Sequence, residues 1–129
     1  MTDLHSLPFP RLCYLEIPAT NPRQSAEFYK NVFGWKIDKW PGPMEYWMVN
    51  TGDDKCPGIN GGIMKRGNVQ STTNTLGVDS VDASITAVTK AGGKLIMPKT
   101  PIPGVGYFAY CEDTEGNLFG LMQADAGAK

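Results

Sequence analysis

Histidine is nearly absent from this 129-residue chain, where His5 stands alone. With one imidazole and no Cys-x-x-Cys pair, a zinc or iron site of the common two-histidine kind cannot be assembled within one chain. Any metal site would rest mainly on carboxylates, carbonyls and water. Cysteine is sparse as well. Cys13, Cys56 and Cys111 are odd in number and widely spaced, which suits a reduced, cytoplasmic protein. Positive charge is not in excess: 12 Lys and Arg stand against 13 Asp and Glu, for a net charge of -1. The longest basic cluster is Lys65-Arg66. That excludes a strongly basic nucleic-acid binder and a polybasic membrane patch. No apolar run approaches the roughly 18 residues needed to cross a bilayer. The opening Met-Thr-Asp-Leu-His-Ser lacks the basic and apolar segments of a signal peptide.

The length suits one domain with a proper core. Gly (15) and Pro (10) are above average but below the level that marks disorder. Pro8 and Pro10 make residues 1–11 an arm without regular structure. Residues 12–17 read as a strand ended by Pro18. Asn21 is a helix N-cap, with Pro22 at the first helical position and Gln24 at the capping-box position. Ala26, Tyr29, Val32 and Phe33 form the expected core-facing stripe, and Gly34 ends the helix. Strands follow over 35–40, about 45–51 and about 59–65, with a Pro-Gly-Pro turn at 41–43. The second half replays the first: a strand at 73–78, a cap at Asp79 or Ser80, and a helix with Val81, Ile85 and Val88 on one face. Gly92-Gly93 stops that helix, and strands follow at about 94–97, 106–111 and 117–123. Asn21 to Ser80 and Gly34 to Gly93 share one offset of 59 residues. The expected organisation is a single α+β domain over 1–129. It comprises the arm (1–11), a first βαβββ module (12–66), a hinge (67–72) and a second βαβββ module (73–123). Pairing of the two curved mixed sheets around a cavity would cover faces that neither module can cover alone.

The segments Leu15-Glu16-Ile17-Pro18-Ala19, Asn21-Pro22 and Phe28-Tyr29-Lys30-Asn31-Val32-Phe33-Gly34-Trp35 carry a resemblance. In the second half it is carried by Leu76-Gly77-Val78-Asp79-Ser80, Gly92-Gly93, Pro103-Gly104 and the run from Glu112 to Leu121. Together they resemble the vicinal oxygen chelate superfamily of glyoxalases, bleomycin-resistance proteins and dioxygenases, over about 12–123. Within it the chain is most similar to a bacterial glyoxalase-related group. The resemblance implies metal ligands on the first strand of each module and a carboxylate on the last. Those positions hold Tyr14, Thr73, Gly120, and Gly61 or Gly62. Neutral hydroxyls and glycines are not strong ligands, so the expectation is no metal and no cofactor. The mechanism the resemblance implies, in which a divalent ion stabilises an enediolate, does not transfer with the fold.

Strand alternation places Tyr14 and Glu16 on a cavity wall, with Cys13, Leu15 and Ile17 toward the helix. Thr73, Thr75 and Gly77 face the cavity in the second module, as do Leu118, Gly120 and Met122 on the last strand. The expected ligand-binding set is Tyr14, Glu16, Thr73, Tyr107, Gly120 and Met122. Glu16 is either a general base, the one weak catalytic candidate, or a hydrogen-bonded carboxylate in a wet cavity. Tyr14 and Tyr107 either contact a ligand or fill space. Trp40 and Trp47 either roof a pocket or pack ordinarily. Cys111 reads as a buried inert thiol, His5 as a surface residue, and Asp53-Asp54 and Asp113-x-Glu115 as turns. Gly61, Gly62, Gly77 and Gly120 leave room for a ligand or for large neighbours, so Gly120→Trp is expected to fill a pocket with little loss of stability. Three functions compete. The favoured one is a metal-independent small-molecule binder. The others are a lyase or isomerase with a non-standard metal or metal-free acid-base site, and an interaction module without ligand. Exposed sheet edges and aromatic surface suggest a homodimer.

Overall fold

The computed structural model describes residues 10–53, 55 and 57–129. His5, Pro8, Asp54 and Cys56 lie outside them. The elements run β1 (Arg11–Ala19), α1 (Pro22–Phe33), β2 (Lys36–Lys39), β3 (Tyr46–Asn50), β4 (Asn60–Lys65), β5 (Thr73–Gly77), α2 (Val81–Lys90), β6 (Lys94–Ile102), β7 (Gly106–Glu112) and β8 (Leu118–Ala124). This is a mixed α+β fold in which the βαβββ order occurs twice. The chain clusters into two compact units, one of Tyr14–Thr73 and one of Asn74–Lys129 with residues 10–13. The strand order is β2-β3-β4-β1 in the first and β5-β8-β7-β6 in the second. In each, the strand before the helix pairs in parallel with the module's last strand, and the other pairings are antiparallel. Among the described residues no helix is long and apolar enough to cross a membrane.

Both helices start as their caps dictate. The Asn21 side chain accepts from the Gln24 N–H, and Ser80 Oγ accepts from the Ala83 N–H. Gly34 ends α1 at φ 71°, a left-handed backbone that favours glycine. In α2 the left-handed residue is Gly92, at φ 96°, one position before the one the 59-residue offset marks. Each unit has its own core between helix and sheet. Ala19, Ala26, Ile37, Val49 and Ile63 form one, with Ile17, Tyr29, Trp35 and Trp47 packed against it. Val78, Val81, Ala109, Cys111 and Leu121 form the other. Burying one Ile or Val fully contributes roughly 1.5–3 kcal/mol, and Ile63 and Val81 are both fully buried.

Three expectations need correction. Val32 and Phe33 are exposed, at 54% and 59%. Val32 lies a quarter-turn off the Ala26–Tyr29 line, and Phe33, the last helical residue, stacks on Trp35. Pro18 does not end β1: Pro18 pairs with Met64 and Ala19 with Lys65. β6 is longer than 94–97 and carries Pro98 and Pro101. It is the last strand in its unit's order, and its register shifts between Leu95 and Met97 and between Met97 and Thr100. Such irregular strands tolerate proline because ladder donors are already missing there.

One cap comes from distant sequence. Gln123 Oε1 on β8 accepts from the Val81 N–H at 3.0 Å, tying the first turn of α2 to the sheet. Gln123→Ala leaves that part-buried donor unpaired and should cost about 1 kcal/mol. The check is a lower denaturant midpoint at unchanged slope; an unmoved midpoint would show that the bond contributes nothing.

Candidate functional site

In the Tyr14–Thr73 unit the register fixes which side chains share the face turned away from α1. Asp38 pairs with Met48, Met48 with Gly62, and Gly62 with Glu16, so these four form one row across the sheet. The next row holds Tyr46, Met64 and Pro18, with Trp40 joined to it through its N–H on the Tyr46 carbonyl. Tyr14 lies on the other side of the Gly62 row, paired with Asn60.

Tyr46 does not stay in its row. A Cβ on Gly62 would overlap the hydroxyl end of the Tyr46 ring. The ring therefore crosses the space that glycine leaves, and its hydroxyl hydrogen-bonds the Tyr14 hydroxyl. Glu16 flanks the same glycine. Burial pushes the Tyr14 phenol above its ordinary value of 10.0; the Tyr46 bond pulls it down, and the Glu16 carboxylate pushes it up. Tyr14 is thus a neutral hydroxyl throughout the physiological range. Trp40 meets Tyr46 at 77° with ring centroids 6.3 Å apart, and its ring folds back over Gly42.

The expected set is only partly brought together. Tyr14 and Glu16 share a face, as alternation implies. Thr73 is buried and its hydroxyl donates to the Ser71 carbonyl at 2.8 Å. In the other unit Gly120 pairs with Thr75 and Tyr110, and Met122 with Phe108 and Gly77, on the face opposite α2. Tyr107 is not among them: it packs into the α2-side core, with the Lys99 ammonium 4.5 Å from its ring centre. Trp40 and Trp47 do not act together either. Trp47 lies on the α1 side, its ring 5.9 Å from the Arg23 guanidinium. Cys111 is fully buried, and burial pushes its thiol up, as suits an inert side chain. Asp113 is a turn residue, accepting from the Glu115 and Asn117 N–H groups.

Gly61, Gly62 and Gly120 do not line open space. Gly62 is covered by Tyr46, and a Cβ on Gly61 would meet the Leu15 carbonyl. A Cβ on Gly120 would come within 2.9 Å of Thr75 Oγ1. Gly120→Trp therefore overpacks the sheet instead of filling a vacant pocket, at a cost of roughly 1–3 kcal/mol or more. Two clefts, of about 460 and 250 Å³, lie along the N-terminal halves of the helices, lined by Asn21, Gln24 and Phe28 and by Ser80, Ala83 and Ala87. These are equivalent positions of the repeat. Asn21 and Ser80 already cap their helices; the other polar groups of the clefts are Thr20, Gln24, Ser25 and Tyr29 in one and Asp79 and Ser84 in the other.

The positions where the resemblance implies metal ligands do not fit a divalent ion. Tyr14 is neutral, Thr73 is committed to Ser71, and the space beside Gly120 belongs to Thr75. Among the described residues no three His, Cys, Asp or Glu side chains cluster as a metal site.

The three contributions to Tyr14 predict opposite responses. Tyr46→Phe should raise its titration further, and Glu16→Gln should lower it, as read by tyrosinate absorbance against pH. Because the folded value lies above the unfolded one, Tyr14 stabilises the fold fully below about pH 10, and that stabilisation is lost as pH rises through the raised value. Shifts in the same direction in both variants would contradict the assignment.

A family model described as the Glyoxalase/Bleomycin resistance protein/Dioxygenase superfamily matches residues 11–121. A glyoxylase-like domain-containing protein from Didymella fabae is 32% identical over 113 residues, covering 83% of this chain and 88% of the relative. A putative glyoxylase from Mycobacterium bovis is 27% identical over 122 residues, and the alignment covers 87% of this chain but only 45% of that longer protein. Among solved structures, a hypothetical protein from Bacillus halodurans superposes with a TM-score of 0.70 at 15% identity, over 94% of this chain and 99% of that one. Streptomyces coelicolor methylmalonyl-CoA epimerase does so with a TM-score of 0.68 at 15% identity, over 93% and 98%. These likenesses are of fold. On the family match and the Didymella relative together, the chain belongs to the glyoxalase/bleomycin resistance protein/dioxygenase superfamily.

Proposed function

We propose that this member of the superfamily binds a small molecule without a divalent metal, on the face of the Tyr14–Thr73 sheet turned away from α1. The observation that carries this reading is the Tyr14–Tyr46 hydroxyl pair. Two phenols in mutual contact hold two protons, and their shared bond uses one. A phenolic oxygen can both donate and accept, so the pair can meet either an oxygen or a nitrogen of a ligand. The task of meeting a ligand's polar atom, which a metal performs in other members, falls here to neutral hydroxyls. Around the pair stand Trp40, Met48 and Met64, which supply the mostly apolar walls of a small-molecule site with a few placed polar groups. Met48 is 42% exposed, so the face is reachable.

Two measurements on one untagged preparation test the reading. Elemental analysis should find far less than one Zn, Ni, Fe or Mn per chain. Ligand-observed NMR with a fragment set should give hits that survive EDTA and weaken in Tyr14→Phe. About one metal ion per chain, or binding abolished by the chelator, would overturn metal independence. Hits unaffected by Tyr14→Phe would remove the site.

A further inference from the structure

The solvent side of α1 is divided. At about 100° per residue, its three charged side chains, Arg23, Glu27 and Lys30, gather on one flank of the line that Pro22, Ala26 and Tyr29 turn to the sheet. The opposite flank carries Gln24, Ser25, Phe28 and Val32 and none of those charges. Phe28 is 55% and Val32 54% exposed, one turn apart. Large apolar side chains left side by side in water, on a helix whose charges lie elsewhere, have the composition of an interface core, which is poor in charge and rich in aromatics. The rings are held in place. Phe28 meets Tyr29 edge-on at 5.2 Å and 85°, and Tyr29 stacks on Trp35 at 5.1 Å and 6° and on Phe33 at 6.2 Å. A partner therefore meets rings already fixed, and less ordering entropy is lost on binding.

The uncharged flank is complementary to itself. Its N-terminal half is hollow, with the cleft of about 460 Å³ beside Gln24, Ser25 and Phe28. Its C-terminal half projects, with Val32 and Phe33 more than half exposed. A two-fold axis through Phe28, perpendicular to the helix, sets Phe28 against its own copy and brings each Val32 to Gln24 and the cleft of the other copy. Helices so related run antiparallel, which lets their dipoles offset each other. The other route to a dimer, continuation of a sheet, is blunted at the strands that end the two units' orders. β2 is four residues long with Lys36, Asp38 and Lys39 among them, and β6 carries Pro98, Pro101 and two register shifts. Phe28 and Phe33, at roughly 150–250 Å² each and more than half exposed, offer roughly 200 Å² together. With Val32 and the polar rim, two copies would bury on the order of 1,000 Å² in total, the size of a weak, reversible dimer. We infer that the uncharged flank of α1 is the contact surface of a homodimer, and that its occupant is the same flank of a second copy of this chain. The inference is independent of the small-molecule face, which lies across the sheet from α1 and is left uncovered by such pairing.

Sedimentation velocity on the full chain should show a monomer–dimer equilibrium with a dissociation constant of roughly 1–100 μM, the range a contact of this size supports. Phe28→Glu sets two like charges against each other on the axis and should weaken the dimer at least about a hundredfold. Val32→Glu, one turn away, should weaken it at least about tenfold. Both positions are exposed, so the melting midpoint of the monomer should not move. Lys30→Glu on the charged flank and Ile96→Lys on β6 should leave the equilibrium within about twofold. Phe28→Cys tests the axis separately. In a Cys13→Ser background it should form an intermolecular disulfide under mild oxidation, beyond what that background forms by itself. Helix axes about 8–10 Å apart bring residues on the two-fold to about 5 Å between Cα atoms, within reach of a disulfide. Lys30→Cys in the same background should not cross-link. A chain that stays monomeric at several hundred micromolar, a dimer that survives Phe28→Glu and Val32→Glu, or one that Ile96→Lys breaks would overturn the inference. None of these outcomes bears on ligand binding that depends on Tyr14, so the two readings fail separately.

Discussion

The missing side chain at Gly62 governs the chemistry of the Tyr14–Thr73 unit. Strand geometry alone would keep Tyr46 and Tyr14 apart, since they belong to rows on opposite sides of the Gly62 row. Only because position 62 has no Cβ can the Tyr46 ring cross the row and reach the Tyr14 hydroxyl. The hydroxyl pair, the aromatic corner with Trp40 and the closeness of both to Glu16 follow from that crossing. An alanine there would return Tyr46 to its own row and leave Tyr14 part-buried without that bond.

The internal repeat shows how the same frame takes different chemistry. The 59-residue offset carries Tyr14 to Thr73 and Glu16 to Thr75. Glu16 pairs with Gly62 as Thr75 pairs with Gly120, so each module sets a polar residue against a glycine on its last strand. In one, the glycine is crossed by a tyrosine from β3. In the other, Thr75 itself leans over the glycine, and among the described residues its buried Oγ1 has no hydrogen-bond partner. The caps, the core stripes and the parallel pairing repeat, whereas the side chains facing away from the helices do not. That is the expected division when a fold supplies the scaffold and individual residues supply the function.

Much of the architecture was legible because caps and alternation are local. Asn21, Ser80 and Gly34 mark helix ends through chemistry within a few residues, and the period of two separates Glu16 from Ile17 without knowledge of a partner strand. The site was less legible because it depends on register. Tyr46 drew no attention: nothing in its neighbourhood says that it lies one step diagonally from a glycine on β4. Tyr107 looked like a candidate because the facing of β7 is fixed only by its partners, and pairing with Gln123 puts it on the α2 side. The glycines were read as space because a sequence shows where side chains are missing but not which neighbour fills the gap. Val32 and Phe33 fit a helical stripe by spacing, yet Val32 lies a quarter-turn off the Ala26–Tyr29 line and Phe33, at the end of α1, stacks on Trp35.

The central claim is that Gly62 exists to admit Tyr46, and a double-mutant cycle in unfolding free energy tests it most directly. Gly62→Ala should cost roughly 1–3 kcal/mol in the native chain, the usual penalty for overpacking. In a Tyr46→Ala background, where the ring is gone, the same change should cost little, which gives a coupling of about 1 kcal/mol or more. If the cost of Gly62→Ala is the same in both backgrounds, the glycine serves the backbone and not the tyrosine, and the account of this face fails at its first step.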